Sequence, residues 1–491
     1  MTNPRIVTVL VGAACLGVLG DLLLRSPIWG INFALWIATL VILARVLIDN
    51  RPYDVRRGAG YWLAISAFFA FAGFAWRDSD FLRFWNFVAV IAALSIASLR
   101  VAHANLLTTR IREHLAGLGH FVGSLAAGAA QLVLRDVPWQ HVTGDRGWRR
   151  VGAHIAGVGI AIPMVFVFGG LFASADPVFE TVALRLVRWD VETMFTHVML
   201  IGFLTWIAAG YLRGLIAPRQ AKQVQDLPAA GRFGFPVVGI PIGAVALLFT
   251  GFAAIQATYF FGGEDFVRRA TGLGFAQYAR RGFFELVAAS ALVVPLLLIG
   301  QWALDHKDEV AVRRFRMLSF ALLLLVGLIA VSAWWRMRLY TSAYGLTVDR
   351  FYATAFIIWI GIILGWFAVT VRRERPEQFA FGGLTSGFAL LALLNVINPD
   401  ALIARVNLSR ADAGKALDVS YLSHLSADAA PTILQSWDAL DSDQQCALQP
   451  VVDYRTNRGG HDWRSWSVAR HRARAAVVVR ARIGQMQDCS S

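Results

Sequence analysis

Ten side chains in the middle and later part of this chain have the types and spacing to build a charged recognition surface. Asp176 and Glu180 follow one long apolar run, and Arg280, Arg281 and Glu285 lead into another. Arg336, Arg338, Tyr344, Asp349 and Arg350 lie between two more. Arginine presents a planar fork of donors that matches the paired oxygens of carboxylate and phosphate. Carboxylates and tyrosine hydroxyls beside it supply the partners that partly desolvated guanidinium groups require. Ion pairs across the loops follow, with Glu285 to an arginine the best-placed pair. Functionally, such a surface suits an anionic lipid headgroup or a peptide of another envelope protein. The structural alternative is a charged collar that ties loop ends together.

Other polar residues stand inside apolar runs: Asn86, His154, His197, Gln256, Gln301 and Asn395. Such positions are costly in lipid and are functional candidates for that reason. Most lie within two turns of a run's end, where an interhelical hydrogen bond suffices. Pro163, Pro241 and Pro295 interrupt runs, as in transporters, although proline is frequent in membrane helices of every kind. The sequence carries no P-loop, no Gly-x-Ser-x-Gly elbow and no His/Cys pattern with metal-ligand spacing. No catalytic residue, cofactor or metal is expected, and the enzyme class is the weakest of the readings. Cys446 and Cys489 are the two cysteines of the polar C-terminal stretch and could pair if that stretch lies in an oxidising compartment.

The elements that must position these residues follow from composition. Of the 491 residues, 57% are hydrophobic and 16% charged, with mean hydropathy +0.55. A soluble domain carries roughly 25% charged residues, so this chain is solvated by lipid. The formal charge of +14 sits in short loops, where basic residues set membrane orientation; nucleic acid is not an expected partner. A span needs about 20 apolar residues. Runs at 6–24, 28–48, 60–76, 84–100, 151–173, 194–216, 236–260, 282–304, 317–335, 351–371 and 379–397 meet or approach that length. The fold class is therefore all-α: a polytopic bundle of about 11 spans, range 10–12, with a small helical extramembrane domain at the C-terminus. The division is an N-terminal four-span unit (1–104), an amphipathic interfacial segment and loop (105–150), a seven-span core (151–397) and a soluble helical tail (398–491). Residues 105–140 are the ambiguous stretch, apolar enough to span yet charged at one end. Basic residues favour the loops on the N-terminal side by about two to one. This predicts a cytoplasmic N-terminus and a periplasmic tail in a bacterial inner membrane.

Four strings then stand out together: Leu171 to Phe179, Tyr278 to Leu286, Tyr344-Gly345-Leu346-Thr347 with Arg350, and Asn398-Pro399-Asp400 with Ile403-Ala404-Arg405. With Asp462-Trp463-Arg464-Ser465-Trp466 near the end, the set resembles a bacterial multi-pass membrane family catalogued as domain of unknown function 4173, or its relative 4153. The resemblance implies a polytopic membrane protein and carries over no catalytic residue. The leading functional expectation is a non-enzymatic binding, scaffold or envelope-signalling component. A transporter or lipid-handling protein is the alternative.

Overall fold

The computed structural model describes residues 3–102, 111–137, 168, 172, 175–176, 191–216, 233–271, 283–305, 307–373, 378–457, 460 and 462–482. Among them the ordered elements are helices, joined by short turns, and the one β-type contact is an isolated bridge between Phe233 and Leu304. Long apolar segments in lipid must satisfy their backbone groups internally, and the helix does so within one segment.

The membrane helices are α1 (Asn3–Leu24), α2 (Ile31–Leu47), α3 (Tyr53–Ala70), α4 (Asp80–Ala102), α5 (Ile111–Gln131), α6 (Val191–Ile216), α7 (Phe235–Thr271), α8 (Phe283–Ala303), α9 (Glu309–Tyr344), α10 (Val348–Arg372) and α11 (Gln378–Ile397). Every predicted run coincides with one of them except 151–173, of which only residues 168 and 172 are described. Among the described residues, nine helices are long and apolar enough to cross a membrane; α2 and residues 288–303 of α8 are shorter apolar helices. The tail adds α12 (Pro399–Asp412), α13 (Val419–Ser423), α14 (Ala430–Gln435), α15 (Ser442–Asn457) and α16 (Val468–Arg482).

Packing divides the described helices into two cores. Leu16, Leu40, Leu63, Val90, Leu94, Phe121 and Leu212 belong to one, which joins α1 to α6. Val238, Leu297, Phe315, Leu322, Val326 and Leu364 belong to the other, which joins α7 to α10. Helix α11 serves both: Phe388 packs on Trp62 and Phe69, with ring centroids 5.3 and 5.5 Å away, and Phe379 meets Phe367 edge-on at 5.3 Å.

Residues 117–136, the greater part of α5 and a π turn that extends it, have the length and composition of a span. Their contacts at both ends fall on the last turns of neighbouring helices. Gly117 faces Leu99 of α4, and Arg213 of α6 binds Asp136 (Nε–Oδ2 2.6 Å) and Gln131 (2.7 Å). Phe121, Ala129 and Leu132 are buried while Leu118, Val122 and Leu134 are exposed, so one face seats on the bundle and the other is left to lipid.

Helix α9 is 36 residues long, about 54 Å at 1.5 Å per residue, against a hydrocarbon core of about 30 Å. Its polar last turns, from Arg336 on, continue past the apolar stretch to the tail.

Candidate functional site

Part of the predicted surface is described. Arg350, in the first turn of α10, donates from Nη1 to the Gly345 carbonyl (2.5 Å) and lies over the Tyr340 ring at 4.0 Å. Tyr340 meets Tyr344 edge-on at 5.2 Å, Arg338 stacks over Trp334 at 5.7 Å, and Asp349 is exposed at the start of α10. Arg336 is half-buried on α9 and Asp176 is exposed. Glu180, Arg280, Arg281 and the side chain of Glu285 lie outside what the structure describes, as do His154, Cys489 and the Gln256 side chain. Arg350 and Tyr340 meet beside a larger contact.

That contact is the tail's grip on the turn between α9 and α10. Gly345 turns the chain at φ 83°, a region open to glycine. Asn407 of α12 clamps the next residue from both sides, accepting from Leu346 N (2.9 Å) and donating to Leu346 O (2.7 Å). Arg410 donates to the carbonyls of Thr341, Ser342 and Ala343, at 2.6, 2.9 and 3.1 Å, and so covers the end of α9, where the last carbonyls have no helical partner of their own apart from Thr341, which also takes the Gly345 N–H. Tyr421 of α13 accepts from Val348 N.

A second grip is ionic and buried. The π turn Phe71–Trp76 ends α3, and Arg77 leaves it in extended conformation, bringing Arg77 and Asp78 under the tail. Arg77 binds Asp428 (Nη1–Oδ1 3.2 Å) and donates to the Asn395 carbonyl (2.6 Å). Asp78, wholly buried, pairs with Arg83 at 2.5 Å and with Arg470 of α16 at 3.3 Å. Its backbone N–H donates to Asp428 Oδ2 at 2.6 Å. Asp400, also buried, accepts from Ser426 N at 3.1 Å. Arg77 thus faces Asp428, Arg83 and Arg470 face Asp78, and Arg83 also reaches the exposed Asp80 at 3.4 Å. Such matching is what a low-dielectric site demands. Burial pushes the Asp428 carboxyl up to about 6, against the pull of Asp78 N–H and Arg77. Burial also raises Asp400, against its hydrogen bonds from Ser426.

Local sequence explains the placement of Asp400. Asn398 adopts the left-handed conformation (φ 58°) and its side chain caps α12 at Ala401 N. Pro399 supplies a preset first helical residue. The Asn-Pro-Asp string is therefore the corner where the membrane helix α11 becomes the tail. Just below it, Asn86 and Asn395 exchange amide hydrogen bonds at 3.2 and 3.1 Å, both fully buried. The sequence marks the two separately; the fold makes them one pair. His197, also marked, meets Asp21, which Arg25 approaches at 3.6 Å.

A third grip holds α2. The Trp463–Ser465 turn is capped by Asp462, and Arg464 donates to the Leu22 carbonyl at 3.0 Å. Trp466 O accepts from Ile31 N at 2.9 Å. The backbones run so close that a Cβ on Gly30 would sit 2.5 Å from Trp466 O.

Residues 64–436 match the family model described as Domain of unknown function (DUF4153). The chain belongs to that family. Of the two families that the motif strings suggest, the match is to 4153. No curated protein and no solved structure matches the chain. The DUF4153 match opens inside α3 and closes after α14, so it takes in Arg77, Asp78, Arg83, Asn86, Asn395, Asp400 and Asp428. Arg470 and the Trp463–Trp466 turn fall beyond it.

Sequence reasoning missed the ionic cluster. Arg77 and Arg83 read as loop charges, and Asp428 as one acid among many in a polar tail. The usable signal was the pairing of Arg77-Asp78 at a span end with Asn398-Pro399-Asp400 at another. Chemically, the buried arginines of the cluster are paired with carboxylates of the cluster itself. Among the described residues no group of His, Cys, Asp and Glu could hold a metal. Two spaces among the described residues are small and mostly apolar: one is lined by Leu286, Ser290, Ala330, Ala333, Ile357 and Ile360, the other lies in the tail.

Proposed function

We propose that this polytopic membrane protein is a non-enzymatic scaffold or envelope-signalling component of a bacterial inner membrane, and that the docking of its tail on the bundle is the state it controls. The observation that carries this is the buried pairing of Arg77 and Asp78 with Asp428 and Arg470. A buried ion cluster is poor economy for stability alone, because apolar residues of similar volume often do as well. It is well suited to a contact with two discrete positions, since losing one partner strands a buried charge and the rest follow.

Orientation belongs to the same reading. The tail meets the C-terminal ends of α1, α9 and α11 and the starts of α2, α4 and α10. Residue 3 is then on the far face, with Arg45, Arg51, Arg56, Arg57 and Arg100. The arginine-rich far face supports a cytoplasmic N-terminus and a periplasmic tail. The predicted surface around Arg350 then becomes the rim of the docking contact, open to an envelope partner.

Co-purification from native membranes in mild detergent tests the reading. The native chain and Arg77→Ala are compared by mass spectrometry of what each retains. A protein partner whose recovery changes with the substitution is the expected result. Recovery of the same set in the same amounts from both would overturn it.

A further inference from the structure

The far ends of α2, α3 and α4 carry an excess of positive charge with a specific geometry. Arg45 closes α2, Arg51 lies in the loop, Arg56 and Arg57 stand in the first two turns of α3, and Arg100 is in the last turn of α4. Two carboxylates accompany them, Asp49 and Asp54. Asp49 is shared between Arg45 (3.5 Å) and Arg56 (3.1 Å). Arg51 donates to the Ile216 carbonyl at the end of α6 (3.3 Å). Arg57 and Arg100 have no carboxylate partner among the described residues. Arg57 donates to the Tyr61 hydroxyl at 2.8 Å, which fixes its direction.

Gly58 and Gly60 create the room. A Cβ on Gly58 would sit 2.1 Å from Arg100 Nε, and one on Gly60 would sit 3.5 Å from Arg45 Nε. The first turns of α3 are thus straddled by an arginine from each neighbouring helix. Arg100 Nη1 is buried there with no hydrogen-bond partner, a costly state for a charged donor. The N-terminus of α3 follows Pro52, which gives it no side-chain cap, so its free N–H groups add to the positive field. Tyr53 and Tyr61 flank the patch, 62% and 56% exposed, as aromatic residues do at the membrane–water boundary.

We propose that this end of α2–α4 binds a phosphate-bearing anion, and that its occupant is the headgroup of an anionic phospholipid. A phosphate at this face would supply the anion that Arg57, held only by the Tyr61 hydroxyl and ring, and Arg100 lack among the described residues. The location supplies the source, because the patch lies where a span meets the headgroup layer. The site is separate from the docking contact, on the opposite face, and stands whether or not the tail moves.

The test uses the full chain in detergent, titrated with fluorescent phosphatidylglycerol, with phosphatidylcholine, and with inorganic phosphate as competitor. Arg57→Gln and Arg100→Gln should each weaken phosphatidylglycerol binding about fivefold, the worth of roughly 1 kcal/mol per surface arginine. Arg480→Gln, in the tail, should leave it unchanged. Arg57 is exposed, so its variant keeps the test intact if Arg100→Gln fails to fold. Native-like phosphatidylglycerol binding by Arg57→Gln would overturn the proposal, and so would equal binding of phosphatidylcholine by the native chain. Displacement of the lipid by inorganic phosphate at equal concentration would overturn the lipid as occupant.

Discussion

The two ends of the bundle carry the same residue types and put them to opposite use. At the tail-facing end Arg77, Arg470 and Asp78 are almost wholly buried, and each carboxylate meets an arginine or a backbone N–H. At the far end Arg45 and Asp49 keep 43% and 62% of their side chains exposed, and arginines outnumber carboxylates. Burial decides what a charge is for. A desolvated guanidinium must be neutralised by the fold itself and becomes a fastener. A hydrated one keeps its field for a ligand.

The sharpest way to break this contrast is to remove one buried partner. Arg77→Ala or Asp428→Ala should cost the docked state about 3–5 kcal/mol, because the other charge is stranded. The double substitution Arg77→Met/Asp428→Leu should restore much of it. Limited proteolysis of the tail and thermal unfolding in detergent would read both. Arg56→Ala at the far end should change unfolding by at most about 1 kcal/mol. Equal effects at the two ends would erase the distinction.

Acid should sharpen it. The Asp428 carboxyl is raised from 3.8 to about 6 in the folded chain, with burial as the larger cause. A raised acid favours the docked state below its unfolded value and loses that advantage as pH rises through about 6. Tail protection against proteolysis should therefore increase from pH 7 to pH 5, by roughly 1 kcal/mol. Asp428→Asn should flatten the profile. Protection that falls over this range in the native chain would contradict the burial argument.

Smaller effects separate neutral from ionic contacts. Asn86→Leu alone should cost about 1–3 kcal/mol by orphaning the Asn395 amide, and Asn86→Leu/Asn395→Leu should recover most of it on thermal unfolding. Asn398→Ala should cost roughly 1–2 kcal/mol, from a side chain forced into left-handed backbone and a lost cap; Asn398→Gly should cost less. Last, if the tail is periplasmic, thiol labelling should find Cys446 and Cys489 protected until reductant is added, with little change in melting because Cys489 is close to the terminus.

The spans were legible because lipid imposes a length and a composition that local sequence must satisfy. Asn86 and Asn395 were legible as individuals for the same reason, since an amide in an apolar run is conspicuous. Their pairing was not, because more than 300 positions separate them and nothing local states a register. The ionic cluster was harder still. Arg77, Asp428 and Arg470 look like solvated charges in sequence, and only tertiary packing removes their water. Around Arg350, the partners described, a carbonyl and a tyrosine ring, are ones that charge counting does not anticipate.

Helix α11 gives this arrangement a mechanical side. Its start packs with Phe367, its middle with Trp62 and Phe69, and its end carries the Asn395 and Val396 carbonyls that receive Arg77. A rigid rod of 20 residues is about 30 Å long. Tilting it by about 5° swings its end by roughly 2.5 Å, enough to part a hydrogen bond. A tilt of α11 within the bundle would therefore reach the tail directly, as a change in the hydrogen bonds that Arg77 makes to its last carbonyls.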